Sequence, residues 1–206
     1  RWGCCGLCEQ DYHGVVRCAL GWACWKTYVG HPETNPVRVY AMTELGNGLC
    51  AAKHFEDAVS VFEAELAMKR RLGASEEYIL AVFGNLSCAY DELGRNEEAL
   101  QMRREVYSGT LELYGEEHRD TLGDSSNYAM SLVDLQRFEE AKAVLRRTVP
   151  VARRVMGEGH DLTLKMRKIY GRSLSEDPAA TLDDLREAVT TLEDAERTAR
   201  RVLGGV

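Results

Sequence analysis

Cysteine is the residue type here with the most conspicuous chemistry. Cys4, Cys5, Cys8, Cys18 and Cys24 crowd the start, while Cys50 and Cys88 stand apart. Cys5-Gly6-Leu7-Cys8 has the two-residue spacer with which paired thiolates grip zinc. A closed tetrahedral site needs four ligands, and His13, Cys18 or Cys24 would have to complete it. Cys18 and Cys24 lie six apart on an expected helix, so they point in different directions. No second tight pair occurs in the sequence. No metal site is therefore expected within the chain, and Cys5 and Cys8 remain its weak candidates. In the plainer reading Cys18, Cys24, Trp22 and Trp25 are helix core and the other thiols are free. Seven cysteines, an odd count, no secretory signal and a helical context favour reduced thiols in the cytosol or nucleus.

Cys8 with His13 is also the nearest approach to a thiol–base pair, but it lacks an orienting third residue and an oxyanion site. Gly-rich phosphate loops and the HExxH and GxSxG patterns are missing from the sequence. The expectation is no enzyme and no cofactor, with a cysteine-dependent enzyme as the remote alternative. A net charge of −7 repels nucleic-acid phosphates and anionic lipid. No apolar stretch reaches the length of a membrane span. Neither nucleic acid nor membrane is expected as a partner. With 45% hydrophobic and 29% charged residues and only four prolines, the composition points to a helical globular chain.

Whatever chemistry exists must be positioned by a repeat. Phe55-Glu56-Asp57-Ala58, Asn96-Glu97-Glu98-Ala99 and Phe138-Glu139-Glu140-Ala141 align, their alanines 41 and 42 residues apart. Twelve residues before each alanine stands a small residue: Gly46, Ser87 or Ala129. Leu45, Leu86 or Tyr128 precedes it, and Leu49, Tyr90 or Leu132 follows three residues later. Gly73, Gly115 and Gly157 close the units. Such spacing puts one apolar stripe on a helix, and the small residue lets a second helix approach. The alanine on that second helix is the expected partner across the contact. Phe62, Leu145 and Leu192 follow Ala58, Ala141 and Ala188 by four residues, whereas Arg103 breaks the series after Ala99. A fourth unit, with Tyr170-Gly171 and Leu174, carries five extra residues around Asp177-Pro178. There Asp177 is expected to cap the last helix and Pro178 to open it. Gly14, 16 residues before Gly30, marks the second helix of a degenerate earlier unit.

The spacing predicts nine helices, at 10–29, 36–52, 55–72, 76–93, 96–114, 118–135, 138–156, 160–175 and 179–203. The chain then divides into a cysteine-rich end (1–9), a half repeat (10–36) and repeats at 37–78, 79–120, 121–161 and 162–206, the last modified.

These patterns resemble tetratricopeptide repeats, whose usual period is about 34 residues. A 42-residue period resembles the kinesin light chain type. So do the linkers Gly115-Glu116-Glu117-His118-Arg119-Asp120-Thr121 and Gly157-Glu158-Gly159-His160-Asp161-Leu162-Thr163, with Gly30-His31-Pro32-Glu33-Thr34 a shorter relative. The resemblance covers residues 37–161 well and the rest loosely. It implies an all-α, right-handed α-solenoid of antiparallel helix pairs, a TPR-like superhelix. Kinesin light chains also carry a coiled coil that joins the motor; no sustained heptad occurs here, so motor attachment finds no support.

In such a stack the first helices of the pairs line a concave groove. Helical spacing nominates Tyr40, Glu44 and Asn47, then Ala81, Asn85, Cys88 and Glu92. Further along it nominates Gly123, Asn127, Met130 and Asp134, and finally Lys165, Lys168 and Arg172. Asn85 and Asn127 match the groove asparagines of the kinesin light chain type, while Glu44 and Ile169 in the outer units do not. An asparagine amide both donates and accepts, which suits capture of a peptide backbone. The alternative is that each asparagine bonds the neighbouring helix backbone. The groove charges grade from acidic (Glu44, Glu92, Asp134) to basic (Lys165, Lys168, Arg172), suiting a ligand of complementary polarity.

The expected function is a cytoplasmic, monomeric scaffold or adaptor that binds a peptide segment of a partner protein in this groove. The alternative is a structural or regulatory arm of a larger RING-like zinc-finger protein, with Cys5 and Cys8 ending a finger that begins upstream of Arg1.

Overall fold

The computed structural model describes residues 11–203. The cysteine-rich end, including Cys5 and Cys8, lies outside the described residues. Among those described, nine helices follow one another: α1 (Gly14–Tyr28), α2 (Pro36–Ala51), α3 (Phe55–Arg71), α4 (Glu76–Glu92), α5 (Asn96–Tyr114), α6 (Arg119–Asp134), α7 (Phe138–Met156), α8 (Asp161–Ser175) and α9 (Leu182–Leu203). No described helix is long and apolar enough to cross a membrane. The chain forms two compact units, Arg1–Met102 and Arg103–Val206.

In the first unit α1 packs on α2, α2 on α3 and α3 on α4. Glycines allow the closest approach. A methyl group on Gly21 of α1 would lie 2.7 Å from the Glu44 carbonyl oxygen, and one on Gly48 of α2 would lie 2.8 Å from that of Arg17. The contact glycine of α1 is thus Gly21, not Gly14, which has room around it and starts the helix at φ +54°. Asn35 caps α2, its Oδ1 accepting from Val37 N at 2.9 Å, with Pro36 in the first helical position where its missing N–H costs nothing. The α2–α3 and α4–α5 turns close alike. Each has a left-handed residue, Lys53 (φ 64°) or Gly94 (φ 71°), and a 2.9 Å bond from the next amide back to Leu49 or Tyr90. Ala41, Ala58, Phe62 and Ala89 are fully buried.

In the second unit α6 packs on α7, α7 on α8, α8 on α9, and α6 also touches α8. The α6–α7 turn repeats the device with Gln136 at φ 58° and Arg137 N bonded to Leu132 O at 2.7 Å. The expected pairing of small residue with alanine is corrected in both units. A side chain on Gly46 would run into the Phe62 ring, and one on Gly171 would lie 2.6 Å from Leu192 Cγ. The large residue one turn beyond the alanine fills the space, because the helix stripe carries both to the same face. The alanine instead removes bulk beside it: Ala58 and Ala141 are 0% exposed and Ala188 2%.

The start of α9 is also corrected. The helix begins at Leu182, and Thr181 rather than Asp177 caps it: Asp184 N donates to Thr181 Oγ1 at 3.1 Å, and Thr181 N donates to Asp184 Oδ2 at 2.9 Å. This reciprocal box satisfies the first amides. Pro178 lies in the connecting turn, where Asp177 Oδ1 accepts from Ala179 N. Asp177 Oδ2 reaches back 2.8 Å to Lys142, a cation that is only 3% exposed. That ion pair holds the Asp177 carboxyl below its usual range.

Candidate binding faces of the first helices

The linker motif places α6 and α8. Gly115 (φ 82°) and Gly157 (φ 92°) turn the chain in the left-handed region that glycine tolerates. His118 and His160 are then N-caps, each Nδ1 accepting from the amide two residues on, at 3.3 and 3.2 Å. Thr121 and Thr163 tie each new helix to the one before it, bonding Thr110 O at 3.1 Å and Ala152 O at 3.4 Å. The histidine and threonine of the motif are thus structural parts of a joint. Sequence spacing showed the motif without showing that division of labour.

On the second unit these joints bring the nominated α6 and α8 residues together. Lys165 Nζ donates to Asn127 Oδ1 at 3.0 Å. Arg172 lies 3.2 Å from Asp134 and 2.8 Å from Glu176, and its other nitrogen is 3.1 Å from Met130 Sδ. These carboxylates hold the guanidinium firmly charged, Glu176 more than Asp134. Lys168 is exposed and carries no ion pair among the described residues. Asn127 is exposed, and its side-chain oxygen takes a lysine rather than a neighbouring helix backbone. The acidic-to-basic gradient is partly cancelled where Asp134 meets Arg172. Spacing alone did not reveal Glu176 as the second carboxylate on that arginine.

The first unit treats its nominees differently. Glu44 is 9% exposed, covered by α1 and 3.6 Å from Arg17. Its carboxylate is withdrawn from the surface because the Gly21 contact seats α1 directly over it. Tyr40 remains 47% exposed; partial burial and then the Glu44 charge push its phenol up. Asn47 is half-buried. On α4, Cys88 and Glu92 are exposed and Asn85 is half-buried. Cys50, beside this face, is pushed up to about 11 by burial and then by Cys88 and Glu92, so it is a thiol rather than a nucleophilic thiolate at neutral pH. Cys18, Cys24 and Cys50 are buried or half-buried free thiols, and no group of three metal-ligating side chains occurs among the described residues.

Comparison with known proteins agrees with this geometry. Residues 79–120 and 126–161 match the family model for the tetratricopeptide repeat. No curated protein sequence matches the chain. Among solved structures, a putative kinesin light chain from Podosopora anserina with nearly identical TPR-like repeats superposes with a TM-score of 0.73 at 20% identity, covering 91% of this chain and 85% of that one. A variant of the same protein gives 0.74 at 19% identity, with the same 91% and 85% coverage. BtubC (BKLC) from P. vanneervenii gives 0.61 at 16% identity, covering 90% and 87%. With helix pairs, linker joints and repeat matches in agreement, residues 79–161 carry tetratricopeptide repeats, and the chain has the α-solenoid fold seen in the TPR-like repeats of that putative kinesin light chain.

Proposed function

We propose that this chain is a protein-interaction scaffold that binds a segment of a partner protein on the faces of its first helices. Tetratricopeptide repeats generally bind protein partners, and their fold is typically that of a non-enzymatic scaffold. The observation that carries the finer reading is the α6–α8 face of the second unit. There Lys165 reaches Asn127 and Arg172 reaches Asp134 at the surface, and Lys168 is exposed on the same helix, α8. Their bonds to one another are exposed and therefore exchange readily with those of a ligand. An extended peptide would take the Asn127 amide with its backbone, and its acidic side chains would draw Lys165 and Lys168. On the first unit, Asn85, Cys88 and Glu92 of α4 with Tyr40 and Asn47 of α2 make the corresponding proposal. Glu44 contributes through Arg17 and Tyr40 rather than by contact. The scaffold is proposed to act as a monomer in the cytoplasm.

Selection of a random peptide library against the chain tests this, repeated with Asn85→Ala/Asn127→Ala and with Lys165, Lys168 and Arg172 reversed to glutamate. Enriched peptides should lose about tenfold or more in affinity in either variant. Peptides that bind all three proteins equally would remove the first-helix faces from the site. No enrichment at all would favour the arm of a larger protein.

A further inference from the structure

On the second unit, away from the α6–α8 face, a cleft of about 330 Å³ opens between α7 and α9 with α8 as its floor. Leu145, Val149 and Pro150 give it an apolar strip on α7. Pro150 has no N–H, so the Arg146 carbonyl one turn back loses its intrahelical donor. The floor carries Arg167, only 4% exposed.

Two of the three guanidiniums that line the cleft share a single carboxylate. Tyr170 Oη receives Arg146 Nε at 3.1 Å and donates to Glu187 at 2.7 Å, while Arg146 also lies 3.9 Å from Asp184; Glu187 itself makes no direct ion pair among the described residues. Asp194 lies 3.5 Å from Arg197 on its own helix. That leaves Arg153 and Arg167 with one carboxylate between them: Glu158 Oε1 is 2.5 Å from Arg153, and its Oε2 is 3.3 Å from Arg167. The second Arg167 nitrogen reaches the Thr191 carbonyl only at 3.4 Å. A nearly buried guanidinium with two long bonds, sharing one carboxylate with a second guanidinium, is under-satisfied. Glu158 itself sits between two glycines in the α7–α8 turn and is 43% exposed, so it can leave.

We propose that this cleft binds a small phosphate monoester that also carries an amine. The phosphate dianion displaces Glu158 and bridges Arg153 and Arg167, offering more acceptor oxygens and more charge than the resident carboxylate. The amine lies toward Glu187 and Asp194 on the α9 wall. The volume fits a ligand of this size.

Calorimetric titration of the whole chain with O-phosphoserine, inorganic phosphate and serine tests the assignment. Phosphoserine should bind saturably, inorganic phosphate more weakly, and serine not at all. Arg153→Ala, at an exposed rim position, should weaken phosphoserine about tenfold or more without unfolding the chain. Glu158→Gln should tighten it severalfold, because the resident competitor loses its charge; a merely structural role for Glu158 predicts no gain. Absence of saturable binding to about 10 mM overturns the site, at the weak end of measurable affinity. Binding that Arg153→Ala and Glu158→Gln leave unchanged also overturns it. Equal affinity for phosphoserine and inorganic phosphate removes the amine from the assignment and with it the role of the α9 wall.

Discussion

The joint between α3 and α4 in the first unit and the joints α5–α6 and α7–α8 in the second solve one problem with different chemistry. Lys69 stands where the second unit has Thr110 and Ala152, and Ile79 stands where it has Thr121 and Thr163. In the second unit a threonine hydroxyl reaches a carbonyl of the preceding helix, and a histidine caps the new one. In the first unit Ser75 makes no side-chain cap, and Ile79 has no hydroxyl. Lys69 instead lies in the joint, 2.8 Å from Glu65, 3.4 Å from the Tyr78 carbonyl and above the Tyr78 ring. Glu65 is 0% exposed and also receives Thr43 Oγ1 at 2.7 Å, while its Oε2 has no partner. A neutral hydrogen bond contributes modestly and costs little to lose. A buried ion pair tolerates the loss of both members far better than the loss of one. The same backbone joint is therefore robust in one unit and all-or-none in the other.

The largest expected effect follows from that difference. Lys69→Met strands Glu65 in the core and should destabilise the first unit by about 3–5 kcal/mol, while Glu65→Leu/Lys69→Met together should recover most of the loss. Urea unfolding checks this, and a double variant no better than the single would contradict the all-or-none reading. Next, Thr121→Val or Thr163→Val should cost about 1 kcal/mol each, and His118→Ala or His160→Ala about 0.5–2 kcal/mol. Losses in the second unit as large as that of Lys69→Met would erase the contrast.

A smaller effect separates the turns. Gly94 occupies its left-handed position without strain, whereas Lys53 and Gln136 hold equivalent positions at φ 64° and 58°. Lys53→Gly and Gln136→Gly should each stabilise by about 0.5–1 kcal/mol, read as a shift in the urea midpoint. The smallest effect concerns pH. Burial pushes the Asp124 carboxyl up, and a bond from Thr110 only partly offsets it. A carboxyl raised on folding destabilises the native state at neutral pH, and the penalty fades as pH falls through its folded pKa. Asp124→Asn should therefore raise Tm at pH 7, with the gain shrinking toward pH 4. A gain independent of pH would assign the effect to packing instead of charge.

Helix boundaries were largely legible because the apolar stripe, the glycines and the first-turn acids mark each element locally. Predicted α2 through α8 agree with the observed helices within a residue at each end. The start of α9 was not legible, because Asp177 is claimed by Lys142, 35 residues away. No local rule could foresee that competition. On the candidate faces, helical spacing nominated Asn127, Asp134, Lys165 and Arg172 for one face, but the pairs Asn127–Lys165 and Asp134–Arg172, each 38 residues apart, came only with the structure. Glu44 was misplaced because its exposure depends on how closely α1 approaches α2 through Gly21 and Gly48.

The amino-acid sequence thus determined the repeat, the helices and which residues share a face, all of which follow from periodicity along the chain. Tertiary structure alone decided that Phe62 and Leu192, rather than the alanines, fill the glycine contacts, and that Glu44 is buried while Lys168 is not. It also decided that Arg153 and Arg167 share one carboxylate. Those outcomes depend on distances between helices, and distances are set by the summed fit of side chains that no single segment contains.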